Sequence, residues 1–106
     1  MIMCNCVVQS GQISTESETV LRANLNAFAE RVFGESADIS WVAVPERSGF
    51  TAGQPSTSSI VSMRAPAPVS KADREPLLRE LCGIWTAEIN CSLDEVVGVI
   101  SDPVES

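Results

Sequence analysis

The sequence contains two copies of one pattern. Landmark residues of the first half recur in the second half at one constant offset. The pairs are Ser14 and Ser70, Leu21 and Leu77, Leu25 and Leu81, Phe28 and Ile84, Phe33 and Ile89, and Asp38 and Asp94. In each copy an amphipathic helix lies between two strand-like runs, and such a unit forms a right-handed parallel pair. The repeat therefore predicts two βαβ units, at about 1–45 and 58–101, joined by a loop at 46–57 in a single 106-residue domain.

The first copy has clear helix boundaries. Its opening strand is MCNCVV, and its second strand is ISWVAV, which ends at Pro45. Thr15 and Glu18 have the spacing of a capping box, and Ser14 is another possible cap. Gly34 follows the last apolar residue, where a left-handed C-cap is common. Between these signals an apolar stripe recurs at helical spacing: Leu21, Leu25, Phe28, Ala29 and Val32.

The second copy has two possible helix starts. Its strands are SSIVSMR and VVGVI, and Ser70 and Asp73 are both candidate caps. With Ser70 as the cap, Pro76 would lie inside the helix and remove a hydrogen bond. With Asp73 as the cap, Pro76 would lie in the first turn, where no bond is lost. We therefore predict that this helix starts after Asp73.

Two βαβ units can share one four-stranded mixed sheet with both helices on one face, which is an α/β (α+β) fold. If the two opening strands meet antiparallel in the middle, Met1 and Ile2 lie beside Arg64 at one edge of the sheet. The opposite face is then bare, and a large exposed apolar patch is unusual in a monomer. We therefore expect a homo-oligomer. A ferredoxin-like βαββαβ domain, serving as a small-molecule sensor or assembly module, has the same element order with different strand pairing.

Composition excludes several functions. Seven basic residues are outnumbered by fourteen acidic ones, for a net charge of −7, so we expect neither nucleic acid nor an anionic membrane as a partner. The chain has no histidine, which excludes a serine or cysteine hydrolase that uses a histidine base. No glycine-rich loop leads into either helix, and we expect no cofactor.

The expected location of the protein determines the redox state of its four cysteines. The chain has no signal-peptide pattern and no apolar segment long enough to span a bilayer, so we expect a cytoplasmic protein. Thiols are reduced there. The spacing of Cys4, Cys6, Cys82 and Cys91 matches no zinc pattern. We therefore predict small buried thiols and no metal site.

Six segments carry a resemblance to a known family. They are the opening strand reaching Gly11, the following QIS, the strand ISWVAVPE, the loop GFTAGQP, the strand SIVSMR and the closing NCSLDEVVGVI. Together they span almost the whole chain. They resemble the tautomerase superfamily, in particular long-chain members similar to malonate semialdehyde decarboxylase and cis-3-chloroacrylic acid dehalogenase. The resemblance implies two βαβ units packed as a homotrimer.

The resemblance also implies a site. Family members use an amino-terminal proline as base or acid, and the position similar to it is Ile2, which leaves the Met1 amine as a substitute base. Arg64 resembles the arginine that binds a substrate carboxylate, and a guanidinium suits this task because it forks onto a carboxylate. The alternative for Arg64 is a surface ion pair with a neighbouring subunit.

Three further residues are candidates for the site. Asp38 lies near the place where one decarboxylase branch carries an acid, although its repeat partner Asp94 favours a turn or cap role. Arg47 and Phe50 belong to the long loop and are candidates for binding substrate at the pocket. Solvated loop residues are the alternative for Arg47.

Two functions follow. The first is a tautomerase, an isomerase or a related lyase acting on a small 2-oxo or unsaturated carboxylic acid, with atypical chemistry because the proline is absent. The second is a non-catalytic or repurposed trimer of the same fold that binds a small carboxylate.

Overall fold

The computed structural model describes residues 1–45, 48–51, 53–55 and 58–103. In these ranges a 3₁₀ turn, Leu93–Glu95, comes directly before the strand Val96–Ser101. The strands and helices in these ranges are β1 (Ile2–Gln9), α1 (Thr15–Phe33), β2 (Ala37–Val44), β3 (Phe50–Thr51), β4 (Gln54–Pro55), β5 (Ser59–Arg64), α2 (Lys71–Ile89) and β6 (Val96–Ser101).

The main sheet has the strand order β2-β1-β5-β6. β1 pairs in parallel with β2, β5 pairs in parallel with β6, and the two opening strands meet antiparallel in the middle. The predicted four-stranded mixed sheet of two βαβ units is confirmed. Parallel pairing within each half excludes the ferredoxin-like alternative, in which the two strands of a unit are not neighbours.

The two helices cover one face of this sheet. Side chains of β1 alternate between buried and more exposed, and those facing the helices are Ile2, Cys4, Cys6 and Val8. Leu21, Leu25 and Phe28 pack onto them from α1, and Leu81 and Trp85 from α2. Trp85 stacks on Trp41 of β2 with ring centroids 5.7 Å apart. Burial of each large side chain contributes about 1.5–3 kcal/mol, so this layer is the main source of stability.

The helix α1 begins and ends near the predicted signals. Ser14 is the N-cap, and its hydroxyl accepts a hydrogen bond from the Ser17 backbone N–H at 3.1 Å. Gly34 has φ 74°, and its N–H donates to the carbonyl of Glu30. A left-handed φ is unfavourable for most residues other than glycine, so Gly34 ends the helix at Phe33.

The helix α2 begins earlier than predicted. Ser70 is the N-cap, its hydroxyl accepts from the Asp73 N–H at 3.1 Å, and Pro76 lies inside the helix. The prediction of a start after Asp73 is wrong. Pro76 removes one interior hydrogen bond. The Ser70 cap and an ion pair between Arg74 in the first turns and Asp102 beyond β6 offset that loss.

The segment between the two units carries its own small hairpin. β3 pairs antiparallel with β4, with Phe50 opposite Pro55 and Thr51 opposite Gln54. Gly53 has φ 75°, a left-handed conformation that glycine adopts without strain.

Candidate functional site

The face of the main sheet opposite the helices is not covered by any described element, and we call it the open face. Its side chains form rows across the strands because each strand alternates between the two faces. The row nearest the start of β1, here called the charged row, contains Asp38, Met3, Arg64 and Ser101. Met3 pairs with Asp38, and Arg64 pairs with Ser101. Met3 faces Arg64 one step beyond the pairing of Cys4 with Met63.

The next two rows differ in chemistry from the first. The polar row lies beside the charged row and contains Ser40, Asn5, Ser62 and Val99. The apolar row lies beyond it and contains Val42, Val7, Ile60 and Val97. Of the apolar row, Val42, Ile60 and Val97 are each more than 40% exposed. The open face therefore changes from charged to apolar along the strands.

A shallow hollow of about 180 Å³ lies over the charged and polar rows. It is open to solvent, and it combines a cation with neutral hydrogen-bonding groups and a few apolar walls. Its lining residues are Met3, Asn5, Ser62, Met63, Arg64, Val99 and Ser101. This chemistry suits a small anion that also carries polar and apolar parts.

Arg64 is the cation of this hollow. It is the last residue of β5, and its side chain is exposed on the open face. Among the described residues no carboxylate forms an ion pair with it, whereas Arg22, Arg31 and Arg74 each have one. Its five N–H donors are therefore available to an incoming carboxylate or to a residue of another subunit.

The start of β1 lies at the same edge of the sheet as Arg64. The Met1 amine donates to the Glu35 carboxylate at 2.9 Å, and this contact is an ion pair between two exposed groups. Ile2 is only 2% exposed and packs beneath the helices, on the face opposite Arg64. Its side chain therefore does not reach a ligand in the hollow.

The chain is similar to known proteins in its fold and not in its sequence. No protein-family model matches the chain, and no curated protein sequence matches it. The crystal structure of native Ps01740 superposes with a TM-score of 0.86 at 22% identity, covering 95% of this chain and 93% of that one. N1, a member of the cis-3-chloroacrylic acid dehalogenase family, gives 0.85 at 9% identity, covering 95% and 74%. A wild-type fused 4-OT symmetric trimer gives 0.83 at 16% identity, covering 95% and 85%.

The chain has the tautomerase-superfamily fold. The resemblance seen in the sequence is therefore confirmed at the level of the fold. Within this tautomerase-superfamily fold, Asp38 is exposed on the open face, and β1 separates it from Arg64. Two strand spacings make that separation about 9–10 Å between backbones. Asp38 and Arg64 can thus flank one small ligand without pairing to each other.

The two remaining candidates, Arg47 and Phe50, belong to the segment that joins the two βαβ units. Arg47 lies outside the described residues. The backbone of Phe50 belongs to β3, in the hairpin between the two units. Their assignment to substrate binding stays a prediction.

Asp102, just beyond β6, connects this end of the sheet to the start of α2. Its carboxylate accepts from the Val69 N–H at 3.1 Å and from the Arg74 guanidinium at 2.5 Å. These two bonds lower the pKa of Asp102 from its ordinary value. The Ala65 N–H also donates to the Ser101 carbonyl at 2.8 Å. This hydrogen bond therefore holds the end of β5 to β6 directly after Arg64.

The cysteines take no part in the hollow. Cys4 and Cys6 are fully buried beneath the helices, and Cys82 and Cys91 are partly exposed. The hydrogen bond with Cys4, together with burial, raises the pKa of the Cys6 thiol, which keeps it protonated. Among the described residues no group of three or more histidine, cysteine or acidic side chains could hold a metal ion. Within the same residues, no helix combines the length and the apolar character of a membrane span.

Besides Arg64, the hollow has three polar lining residues that were not among the candidates from the sequence, namely Asn5, Ser62 and Ser101. A signal for two of them was present. Asn5 is the only polar side chain of the run MCNCVV apart from its thiols, and Ser62 lies two residues before Arg64 on the same strand face. Ser101 could be found only from its pairing with Arg64.

Proposed function

We propose that this protein is a tautomerase-superfamily member that acts on a small 2-oxo or unsaturated carboxylic acid, with Arg64 as the carboxylate anchor. The observation that carries the proposal is an exposed arginine, unpaired within the described chain, in a hollow at the sheet edge where β1 begins. A guanidinium binds a carboxylate through two parallel hydrogen bonds, which fix both position and orientation.

The proton would be moved by a group at the same edge. The Met1 amine and the Asp38 carboxylate are the candidates, and each can act as a general base once deprotonated. The Met1 amine is engaged by Glu35, so it must leave this ion pair before it can accept a proton from the ligand. Asp38 is exposed and needs no such rearrangement.

The working unit would be a homotrimer. The apolar row is the part of the open face that most needs cover, since it exposes Val42, Ile60 and Val97. Three of the fused 4-OT structures that match this fold are described as trimers. The charged row lies two rows away from the apolar row, so the hollow would stay at the rim of the covered area.

A second candidate function is carboxylate binding without turnover. It is favoured by Ile2, which occupies the position similar to the family proline and is buried in the core. The engagement of the Met1 amine by Glu35 favours it as well.

Ketonisation of phenylenolpyruvate, followed by ultraviolet absorbance, separates the two candidates. For an enzyme, we expect Arg64→Ala to lower kcat/KM at least about 100-fold, because two charge-assisted hydrogen bonds of about 1.5–3 kcal/mol each are lost. Arg64→Lys should recover little of the kcat/KM lost in Arg64→Ala, since an ammonium cannot form the paired hydrogen bonds of a guanidinium with a carboxylate. Arg79→Ala removes an exposed arginine of α2 and should leave the rate unchanged.

Titration calorimetry with pyruvate completes the test. Binding that requires Arg64, without turnover, would establish the second candidate. Turnover or binding that survives Arg64→Ala would refute the assignment of Arg64, and the absence of both would refute the proposed function.

A further inference from the structure

Asn5 and Ser62 lie side by side on the open face. They are register partners across β1 and β5, and both line the hollow that contains Arg64. Ser62 precedes Arg64 by two residues on the same strand face, so their backbones are about 6–7 Å apart. The long Arg64 side chain can span that distance. A ligand held by Arg64 therefore has an amide and a hydroxyl within its reach.

These two side chains offer chemistry that Arg64 lacks. A guanidinium only donates hydrogen bonds and selects negative charge, so it binds any carboxylate. The Asn5 amide both donates and accepts, and the Ser62 hydroxyl does the same. Among the described residues, no side chain forms a hydrogen bond with the Asn5 amide or the Ser62 hydroxyl. Together they can donate to a carbonyl oxygen or accept from a hydroxyl group.

The size of the hollow limits which part of a ligand it holds. Its volume of about 180 Å³ is below the range of about 300–1,000 Å³ that is usual for pockets enclosing drug-sized ligands. The hollow fits a carboxylate and the neighbouring carbon with its substituent. A larger group on the next carbon would project out of it.

We propose that Asn5 and Ser62 form a specificity subsite that recognises an oxygen on the carbon next to the ligand carboxylate. The preferred ligands are then 2-oxo and 2-hydroxy carboxylic acids, and simple alkanoic acids of the same size bind more weakly. This inference rests on the proposed function, because it uses Arg64 as the carboxylate anchor.

The test compares two ligands that differ only in that oxygen. Pyruvate carries a 2-oxo group, whereas propionate has the same carboxylate and chain length without it. Affinities are measured by ligand-observed NMR titration for wild type, Asn5→Ala, Ser62→Ala and Ser40→Ala. Ser40 belongs to the polar row but lies outside the hollow, so Ser40→Ala is the matched control. The oligomeric state of each variant is checked by light scattering.

We expect wild type to bind pyruvate at least about 5-fold more tightly than propionate, equivalent to about 1 kcal/mol at 1.4 kcal/mol per tenfold. Asn5→Ala should remove most of this ratio by weakening pyruvate alone, and Ser62→Ala should reduce it. Ser40→Ala should leave it unchanged. If Asn5→Ala alters assembly, Asn5→Ser keeps a donor at the position and should retain part of the preference.

The outcomes separate this inference from the proposed function. Equal binding of both ligands by wild type, lost in Arg64→Ala, would overturn the subsite and leave the anchor intact. A pyruvate preference that survives both Asn5→Ala and Ser62→Ala would also overturn it. Binding of neither ligand would overturn the proposed function and the subsite together.

Discussion

Replacement of Gly98 by alanine tests how closely α2 packs on β6. An added Cβ would lie 2.8 Å from the Cys82 Sγ atom. Favourable contacts between heavy atoms lie at about 3.5–4.0 Å, so the thiol or the helix must move by about 1 Å. Overpacking of this kind costs about 1–3 kcal/mol, and the smaller entropy of the unfolded alanine chain returns about 0.4–1 kcal/mol. We expect Gly98→Ala to lower the free energy of unfolding by about 1–2 kcal/mol.

The same change is then made in a Cys82→Ala background. Without the sulfur, the nearest atoms are the Cδ2 atoms of Leu78 and Leu81, both at 3.8 Å, which is ordinary contact. Gly98→Ala should there be neutral or should stabilise by up to about 1 kcal/mol. The control is Gly83→Ala in the middle of α2, where an added Cβ meets nothing within 4 Å. It should stabilise the protein by about 0.5–1 kcal/mol.

The assay is urea unfolding followed by tryptophan fluorescence, since Trp85 is buried and stacks on Trp41. A reducing agent and one fixed protein concentration keep the comparison valid, because dissociation of an oligomer depends on concentration. The difference between the two backgrounds measures the coupling of the glycine to the thiol. An equal cost of Gly98→Ala in both backgrounds would refute the steric reasoning.

Two further predictions concern ionisation and thiol exposure. Asp102 has a lowered pKa in the folded state, so it stabilises the protein above its ordinary value near 3.8, and this contribution disappears as the pH falls through the folded value. Asp102→Ala should therefore lower the free energy of unfolding at pH 7 and should have no effect on it in strong acid. The control Glu75→Ala should match wild type at both pH values. A destabilisation by Asp102→Ala that does not depend on pH would contradict this prediction. In the native protein, Ellman's reagent should modify only Cys82 and Cys91, and after unfolding it should modify all four thiols. Rapid modification of all four in the native state would contradict the burial of Cys4 and Cys6.

Local signals in the sequence were sufficient for the elements of the fold. The apolar stripe of α1 and its terminal glycine depend on residues close together in the sequence, and the repeat depends only on a comparison of the two halves, so all three can be found without knowing the tertiary structure. Gly34 ends α1 because few other residues adopt its positive φ without strain. Arg64 became a candidate through its resemblance to the carboxylate-binding arginine of the family and through the expected antiparallel meeting of the two opening strands.

The start of α2 shows where local reasoning failed. Within the helix alone, Pro76 favours a cap at Asp73, because the proline then lies in the first turn. In the folded chain Arg74 pairs with Asp102, a residue beyond the last strand. A contact over that sequence separation helps to hold the first turn in place, and no pattern within the helix reveals it.

The sequence determined the order of strands and helices and the apolar faces, and it indicated Arg64 as the candidate anchor. Only the tertiary structure decided the register that places Met3 between Asp38 and Arg64, Asn5 beside Ser62, and Ile2 in the core. Register is set by pairing between distant segments, and a slip of one residue would turn every side chain of a strand to the other face. The hollow exists because two strands that are far apart in the sequence meet antiparallel in one particular register.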